Sequence, residues 1–401
     1  MSGEDACPGV LRLHEAADGH LARVRLPGGR IEADGMRAVA EAAELGNGIV
    51  ELTSRAGLQV RGLAAEGGEA IARVLAAGGL LPSPAHDRVR NIAAPPLGGR
   101  APDAVAEIDA VVDQLDLALC AEPGLTALPG RFLFAVDDGS RALDPMVADI
   151  ELAAERDGFR LCLAGRSTRL VVPAGEAAQT GIAAARAFSE LVAGEAPGAW
   201  RVRDLPGGAR RLAHRLGVGL CDQAADRLAS AAARGRLGVI RQRDGRAAVA
   251  ALPPLARLDP EQLRGLAVLV GAAAARMSPS RTLTLVDVPA ADADGLACSL
   301  QELGLVLTAA SGWAGLSACA GLGACARARV DVRAAAVRRA QRRGGAAPTE
   351  HWSGCERRCG EPPEADLTVV ATSDGLLVTE GDREPRTVMS AGDAIEVLSR
   401  A

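Results

Sequence analysis

An internal duplication constrains the fold of this chain more than any other feature. Residues 21–45 read as a strand, a Gly-rich turn and an amphipathic helix, and residues 237–275 repeat that plan. In the second copy, Asp259 and Pro260 supply a helix cap and a first helical residue. The sequence therefore predicts two similar units built from the same pattern of strand and helix.

Each unit continues with a short predicted strand that has an arginine near its centre. These strands span residues 49–61, around Arg55, and residues 277–285, around Arg281. Each copy is thus predicted to be a strand–helix–strand–helix unit. The second helices of the two units are expected at about 67–78 and about 290–303.

A longer segment follows each unit. A stretch rich in Pro and Gly, residues 195–208, is predicted to link the two halves of the chain. At 401 residues the chain is long enough for several domains of ordinary size. The predicted parts are residues 1–85 and 201–303 for the two units, and residues 86–200 and 304–401 for the two longer segments.

Composition and charge exclude several classes of protein. The net charge is −5 and only 2% of the residues are aromatic, so nucleic-acid binding is not expected. The longest apolar stretch, near residues 266–275, is too short for a membrane span, which needs about 20 residues. The first residues lack the basic and apolar pattern of a signal peptide. We therefore expect a cytoplasmic protein whose cysteines are thiols or metal ligands.

Four of the nine cysteines lie between residues 319 and 359. They form two pairs, C-x5-C at Cys319 and Cys325 and C-x3-C at Cys355 and Cys359. Four thiolates suit a [4Fe-4S] cluster, and small residues inside the first pair let the backbone approach it. Structural zinc, which usually takes C-x2–4-C pairs, and free buried thiols stay open as alternatives. The other cysteines are expected in the core: Cys7, Cys120, Cys162, Cys221 and Cys298.

The cysteine spacing, the duplicated unit and the phrase Leu52-Thr53-Ser54-Arg55, with Gln59-Val60-Arg61, resemble the nitrite and sulfite reductase superfamily. The resemblance covers nearly the whole chain. It implies an α+β fold with two ferredoxin-like half-domains and two larger α/β lobes around a central site. In the reductases of this superfamily that site holds sirohaem, and the last cysteine, here Cys359, bridges the cluster and the haem iron.

Within the superfamily, the sequence is most similar to a branch that acts in aerobic cobalamin biosynthesis. The stretch from His351 to Gly360 and the opening stretch from Ala6 to Val10 carry this likeness. It implies an oxygen-dependent enzyme that hydroxylates precorrin-3A at C20 and closes a lactone from the ring A acetate. It also implies a second iron centre beside the [4Fe-4S] cluster, which is non-haem iron in this branch and sirohaem in the reductases.

The chain departs from the reductases at the place where they bind and protonate sulfite or nitrite. Those enzymes use lysines as well as arginines there, whereas all 45 basic residues of this chain are arginine. On the strand where the lysines are expected, residues 158–165, the single cation is Arg160. A guanidinium is a poor proton donor because its pKa lies above about 12. A sirohaem-dependent assimilatory sulfite or nitrite reductase is therefore the second interpretation.

The resemblance also indicates side chains that face the bound tetrapyrrole. A precorrin carries several acetates and propionates, which guanidinium groups and neutral donors can fix. His351 lies four residues before Cys355 and is a candidate catalytic residue, as an iron ligand or proton carrier, or else a residue that holds the loop. The candidate substrate-binding residues are Arg55, Gln59, Arg61, Arg90, Asn91 and Arg281.

A third interpretation is a non-enzymatic electron carrier with one cluster. A carrier, however, needs neither a duplicated scaffold nor a set of arginines. No nicotinamide or flavin motif is visible, since Gly321 and Gly323 match only a loose form of the dinucleotide fingerprint. An oxygen-dependent enzyme of this kind is therefore expected to take its electrons from a separate reductase.

Overall fold

A computed structural model describes most of the chain. The described residues are 7–143, 146–196, 198–221, 236–271, 273–344, 347–362, 365–381 and 383–399. Ala6 of the opening stretch and Pro197 of the predicted link lie outside them.

The first half of the chain folds into a small unit followed by a larger lobe. The unit contains β1 (His14–Ala16), β2 (Gly19–Val24), β3 (Arg30–Glu32), α1 (Ala33–Glu44), β4 (Val50–Leu52), β5 (Leu58–Leu63) and α2 (Gly68–Ala77). The lobe contains β6 (Ile92–Ala93), α3 (Asp109–Cys120), β7 (Phe134–Asp137), β8 (Ile150–Glu155), β9 (Gly158–Leu163), β10 (Arg166–Val172), α4 (Ala174–Glu195) and α5 (Gly208–Arg215).

The second half repeats this order of elements, with α5 left without a counterpart among the described residues. The unit contains β11 (Gly238–Arg241), β12 (Ala247–Ala251), β13 (Arg257–Leu258), α6 (Pro260–Val270), β14 (Ala274–Met277), β15 (Leu283–Val288) and α7 (Ala293–Glu302). The lobe contains β16 (Leu316–Ala318), α8 (Val332–Ala340), β17 (Glu350–Ser353), β18 (Leu367–Ala371), β19 (Leu376–Glu380), β20 (Arg386–Val388) and α9 (Ala391–Ser399).

The two small units exchange one short strand with each other. Strand β3 of the first unit pairs with β14 of the second, and β13 of the second pairs with β4 of the first. The resulting sheets have the orders β1-β2-β5-β4-β13 and β11-β12-β15-β14-β3. Helices α1 and α6 pack against each other, and buried residues of both units form one hydrophobic core. The predicted duplicated fold is therefore present, and its two halves are interlocked.

The helices of the units form where the sequence predicts them. Helix α6 begins with a capping box, in which Asp259 accepts the backbone N–H of Gln262 at 2.8 Å and the Gln262 side chain accepts the N–H of Asp259 at 3.0 Å. Because this cap satisfies two amides that the first turn leaves unpaired, it fixes where the helix starts. Helices α2 and α7 confirm the two second helices.

The strands with a central arginine were predicted wrongly, since each is a hairpin. Strands β4 and β5 flank a turn that contains Arg55, and β14 and β15 flank a turn that contains Arg281. In the first turn the Thr53 hydroxyl accepts the N–H of Gly57 at 3.2 Å, and Ala56 has a φ of 57°. Such side-chain bonding to the backbone competes with the strand ladder, so the chain reverses at the arginine.

Each lobe is one five-stranded sheet with the same topology. The orders are β10-β9-β8-β7-β6 and β16-β17-β18-β19-β20. In both sheets, the first three strands in chain order are parallel to one another. The fourth strand is antiparallel to the third, and the fifth is antiparallel to the fourth. The carboxyl ends of the parallel strands therefore meet at one edge of each sheet, the usual place for a site in such a sheet.

No helix in the described ranges is both long and apolar enough to cross a bilayer.

Candidate functional site

The two cysteine pairs follow neighbouring parallel strands of the second lobe. Cys319 comes directly after β16, and Cys355 lies two residues beyond β17. The N–H of Cys319 donates to the carbonyl of Trp352 at 2.9 Å, and the N–H of Gly354 donates to the Cys319 sulfur at 3.1 Å. The sheet thereby brings both pairs to one edge.

The loop between Cys319 and Cys325 turns tightly. Gly321 and Gly323 have φ values of 76° and 92°, which glycine adopts without a steric penalty. The N–H of Cys325 closes the turn by donating to the carbonyl of Gly321 at 3.0 Å. The small residues of this loop are thus required by its backbone path as well as by the space that a cluster would need.

All four thiols share one environment. The pKa of Cys359, whose side chain is partly exposed, is raised first by partial burial and also by Cys319, Cys355 and Cys325, while Arg357 opposes the shift. In the described residues no three His, Cys, Asp or Glu side chains lie close enough together to ligate one metal ion. A cubane takes its four cysteines on four different irons. Two cysteine pairs at one sheet edge would supply that ligand set.

His351 and Arg281 lie against the second cysteine pair. His351 is buried on β17, and its Nδ1 is 2.8 Å from the Ser317 hydroxyl. Burial lowers the pKa of His351 to about 4, the positive charge of Arg281 adds to this effect, and a hydrogen bond with the backbone of Cys359 opposes it. The Arg281 guanidinium donates to the carbonyl of Gly360, next to Cys359, at 3.0 Å. His351 is therefore neutral at neutral pH and lies beside Cys359 of the second cysteine pair.

A second group of side chains converges on the carbonyl oxygen of Gly130. Arg25 donates to it at 3.3 Å, Arg55 at 3.2 Å and the Asn91 amide at 2.9 Å. Arg25 and Asn91 are only 5% and 4% exposed. Two predicted residues, Arg55 and Asn91, are thus brought together with one that sequence analysis missed.

Among the described residues, carboxylates act on this arginine group only from a distance, Asp87 on Arg25 and Asp149 on Arg55. Burial, together with the charges of Arg23 and Arg55, lowers the pKa of Arg25 to about 9. Burial likewise lowers the pKa of Arg55 to about 10, with Arg201 contributing. In the described part of the chain, neither Arg25 nor Arg55 forms an ion pair with a carboxylate. A buried set of like charges of this kind is suited to an anionic ligand.

The other predicted substrate-binding residues are engaged by the protein itself. Arg61 forms a bidentate pair with Asp18, at 2.9 and 2.8 Å. Arg90 forms one with Asp116, at 2.8 and 2.7 Å. Gln59 donates to the carboxylate of Glu51 at 3.1 Å. Their part in substrate binding stays a prediction.

Arg160, on β9, is also paired. It forms a bidentate ion pair with Glu155 and donates to the carbonyl of Thr168 at 2.7 Å. Its charge is therefore already neutralised by a neighbour on the same sheet, which leaves it poorly placed to hold a small anion.

A signal for Arg25 was present in the sequence. Arg23 lies on β2, and Arg25 directly follows its last residue, Val24. Residues two apart on a strand share one face, so this spacing favours a common side for the two arginines. The Nε atoms of both are buried without a hydrogen-bond partner among the described atoms. The i, i+2 spacing of these two arginines is visible in the sequence, but only the fold shows that Arg25 and Arg55 donate to the same carbonyl.

In the first lobe, carboxylates stand at the edge where the second lobe has its cysteines. Asp137 ends β7, the counterpart of β17. Its Oδ1 accepts the N–H of Gly139 at 2.8 Å, and its Oδ2 is buried with no partner among the described atoms. Burial, together with the charge of the adjacent Asp138, raises the pKa of Asp137 to about 7. The two lobes therefore share one sheet topology, but the first has carboxylates at the edge where the second has thiols.

Replacing Asp137 by Asn is expected to remove a pH dependence of stability. The folded pKa of about 7 lies above the unfolded value of about 4, so the stabilisation is complete at low pH and is lost as pH rises through 7. At pH 8 the variant should exceed the wild type by about 2–4 kcal/mol in free energy of unfolding, and the gap should shrink toward pH 5. Urea unfolding at both pH values checks this, and a gap that stays constant with pH would contradict it.

Comparison with known proteins bears first on the fold. The profile of the nitrite/sulfite reductase ferredoxin-like half domain matches residues 14–78 and 240–303, once in each unit. The structure of the Mycobacterium tuberculosis NirA protein superposes with a TM-score of 0.74, over 95% of this chain and 80% of that one, at 20% identity. At that identity the likeness shows the fold alone. The chain therefore carries two half domains of this type within a duplicated fold like that of the NirA protein.

A more specific likeness is to one named enzyme. A precorrin-3B synthase from Sinorhizobium sp is 33% identical to this chain over 170 residues. The match spans 41% of this chain and 36% of that protein, well under two thirds of its length. The resemblance stated from the sequence, to the superfamily and within it to precorrin-3B synthase, is confirmed.

Proposed function

We propose that this chain is an oxidoreductase, a precorrin-3B synthase. In this proposal it binds precorrin-3A, hydroxylates C20 with molecular oxygen and closes a lactone from the ring A acetate. One oxygen atom enters the product, and the other leaves as water after it takes up two electrons and two protons. A separate cytoplasmic reductase supplies the electrons. The observation that carries the proposal is the arginine group at Gly130, in which Arg25 and Arg55 form no ion pair with a carboxylate among the described residues and which suits a polycarboxylate.

The residues of the chain have separate roles in this proposal. Arg25 and Arg55 bind carboxylates of the macrocycle, and Asn91 holds the Gly130 carbonyl between them. His351 is neutral at neutral pH and lies against Cys359, so in this proposal its imidazole holds or passes on a proton there. A [4Fe-4S] cluster held by Cys319, Cys325, Cys355 and Cys359 would supply electrons one at a time.

The second interpretation, a sirohaem-dependent reductase, shares the same fold. The pairing of Arg160 with Glu155 disfavours it, because the strand expected to bind the anion then offers no free cation. The absence of lysine from the sequence also removes the usual proton-donating side chains. An electron carrier is disfavoured because it has no use for the arginine group.

Arg25→Gln and Arg55→Gln test the proposal through two effects of opposite sign. Each variant loses a charged hydrogen bond to the substrate, which corresponds to about 10- to 150-fold weaker binding. Each also relieves repulsion within a buried group of like charges, so thermal stability should stay the same or rise. Anaerobic titration with precorrin-3A, followed by absorbance, measures the first effect and thermal unfolding the second.

The control for these variants is Arg264→Gln. Arg264 lies on α6 and pairs with Glu44 at the surface, away from the arginine group. It should leave precorrin affinity unchanged. Unchanged affinity in both Arg25→Gln and Arg55→Gln, or a loss of stability in both, would overturn the assignment of this group to substrate.

A further inference from the structure

The loop that carries Cys319 and Cys325 is held at both ends by arginine side chains from other parts of the fold. Arg333 of α8 donates to the carbonyl of Ala320 at 3.2 Å, and Arg61 of β5 donates to the carbonyl of Ala324 at 3.0 Å. Ala320 directly follows the first cysteine of the pair, and Ala324 directly precedes the second. The two contacts therefore fix the loop where its thiols emerge.

Both arginines are in turn bound to one carboxylate, Glu51 of β4. Arg333 donates to Glu51 at 2.6 Å, and Arg61 lies 3.5 Å from its other oxygen. Arg257, from β13 of the other unit, donates to it at 3.1 Å. The side chains of Glu51, Arg61 and Arg333 are 12%, 3% and 11% exposed. One largely buried carboxylate thus joins both interlocked units to the cysteine loop.

The charge in this network is fixed. Burial alone would raise the pKa of Glu51, but Arg333, Arg61 and Arg257 bring it below its ordinary value. Glu51 is therefore ionised at neutral pH. Two carboxylates, Glu51 and Asp18, face three guanidiniums, so the network is one unit positive next to the cysteine loop.

We propose that Glu51 is a positioning residue for the four-cysteine site. By orienting Arg61 and Arg333 it holds the loop in its cluster-binding conformation before any iron arrives. By its charge it also sets how strongly the surroundings favour the reduced cluster, because net charge and hydrogen bonding tune the potential of such clusters. This role does not depend on which tetrapyrrole the chain binds.

Glu51→Gln tests the positioning role in cluster-free protein. The backbone amides of Ala324 and Cys325 donate to Gly321 within the loop, and that of Leu322 donates to Val330, so hydrogen exchange reports on the order of the loop. In Glu51→Gln these amides should exchange about tenfold faster or more, since charged hydrogen bonds are lost. Amides of β17 and β18 should not change. Asp109→Asn is the matched control, because Asp109 also binds two arginines, Arg100 and Arg276, without contacting the loop.

The midpoint potential of the reconstituted cluster gives a second readout. Glu51→Gln removes a negative charge and should shift the potential upward, whereas Arg333→Gln removes a positive charge and should shift it downward. A protein in which Glu51 only stabilises the fold would show no such pair of opposite shifts. Asp109→Asn should leave the potential unchanged.

Each experimental outcome either supports or overturns the positioning role of Glu51. Loop exchange and potential that match the wild type in Glu51→Gln overturn the proposal, as do shifts of the same sign in both variants. If Glu51→Gln does not fold, Arg333→Gln decides alone: faster loop exchange with a lower potential supports the proposal, and unchanged exchange overturns it. None of these readouts uses precorrin, so the result stands apart from that of the proposed enzyme activity.

Discussion

Replacing Cys319, Cys325, Cys355 or Cys359 by Ser, one at a time, is expected to abolish the iron–sulfur cluster. The four thiols lie at one sheet edge and influence one another, and each would hold a different iron. A serine hydroxyl is a harder and much less acidic ligand than a thiol, so one iron of the cluster would lose its protein ligand. Anaerobic iron and sulfide analysis, with EPR after reduction, gives the measurement.

Cys120→Ser and Cys221→Ser are the controls for the cluster prediction. Both cysteines lie in or beside the first lobe, Cys120 at the end of α3, and both are partly exposed. Their variants should keep a full cluster with an unchanged EPR signal. A normal cluster in any one of the four site variants would mean that the ligand set is wrong.

Glu350→Ala is expected to cost about 3–5 kcal/mol of unfolding free energy. Glu350 starts β17 and is 1% exposed. It accepts from Arg339 at 3.0 Å and from the indole N–H of Trp352 at 2.6 Å, and it lies 3.3 Å from Arg343. Without it, two buried guanidiniums and a buried indole lose their acceptor, which is the costly way to break a buried ion pair.

This destabilisation should extend to the four-cysteine site, because Cys355 lies two residues beyond β17. We expect a lower thermal midpoint and a reduced yield of cluster per chain. Glu190→Ala is the matched control: it breaks the exposed pair with Arg215 and should cost under about 1 kcal/mol. Equal stability of Glu350→Ala and Glu190→Ala would show that the buried network contributes little.

Much of the fold could be predicted because its signals are local. The cap of α6 lies within four residues, from Asp259 to Gln262, and the helices of both units follow from their periodicity. The cysteine pairs could be placed together because each follows a strand in the same lobe. The resemblance to a known superfamily then supplied the arrangement of the parts. The domain boundaries at residues 85, 200 and 303 stay predictions.

The exchanged strands were beyond sequence reasoning. Strand β3 has three residues and β13 has two, too few for any periodicity to show. Their partners lie in the opposite half of the chain, where Ile31 faces Ala275 and Leu258 faces Val50. Pairing over such a separation depends on the tertiary fold, since nothing nearby in the sequence specifies it.

The partners of the site arginines likewise could not be predicted from the local sequence. The sequence supplied the residue type, and the resemblance supplied the positions Arg55, Arg61 and Arg90. What each guanidinium binds depends on carboxylates elsewhere in the chain, such as Asp18 for Arg61 and Asp116 for Arg90. Only the fold separates these two paired arginines from Arg55, which is left without a carboxylate partner among the described residues.

The central claim is that the chain inserts oxygen into a free precorrin, and isotope labelling tests it most directly. Purified protein with a reconstituted cluster would be given precorrin-3A, an artificial electron donor and ¹⁸O₂, and the tetrapyrrole product analysed by mass spectrometry. We expect a product that carries one ¹⁸O atom at C20 together with the ring A lactone. Stoichiometric sirohaem in the protein, with electron consumption that depends on sulfite or nitrite and no labelled precorrin, would contradict the account and favour the reductase.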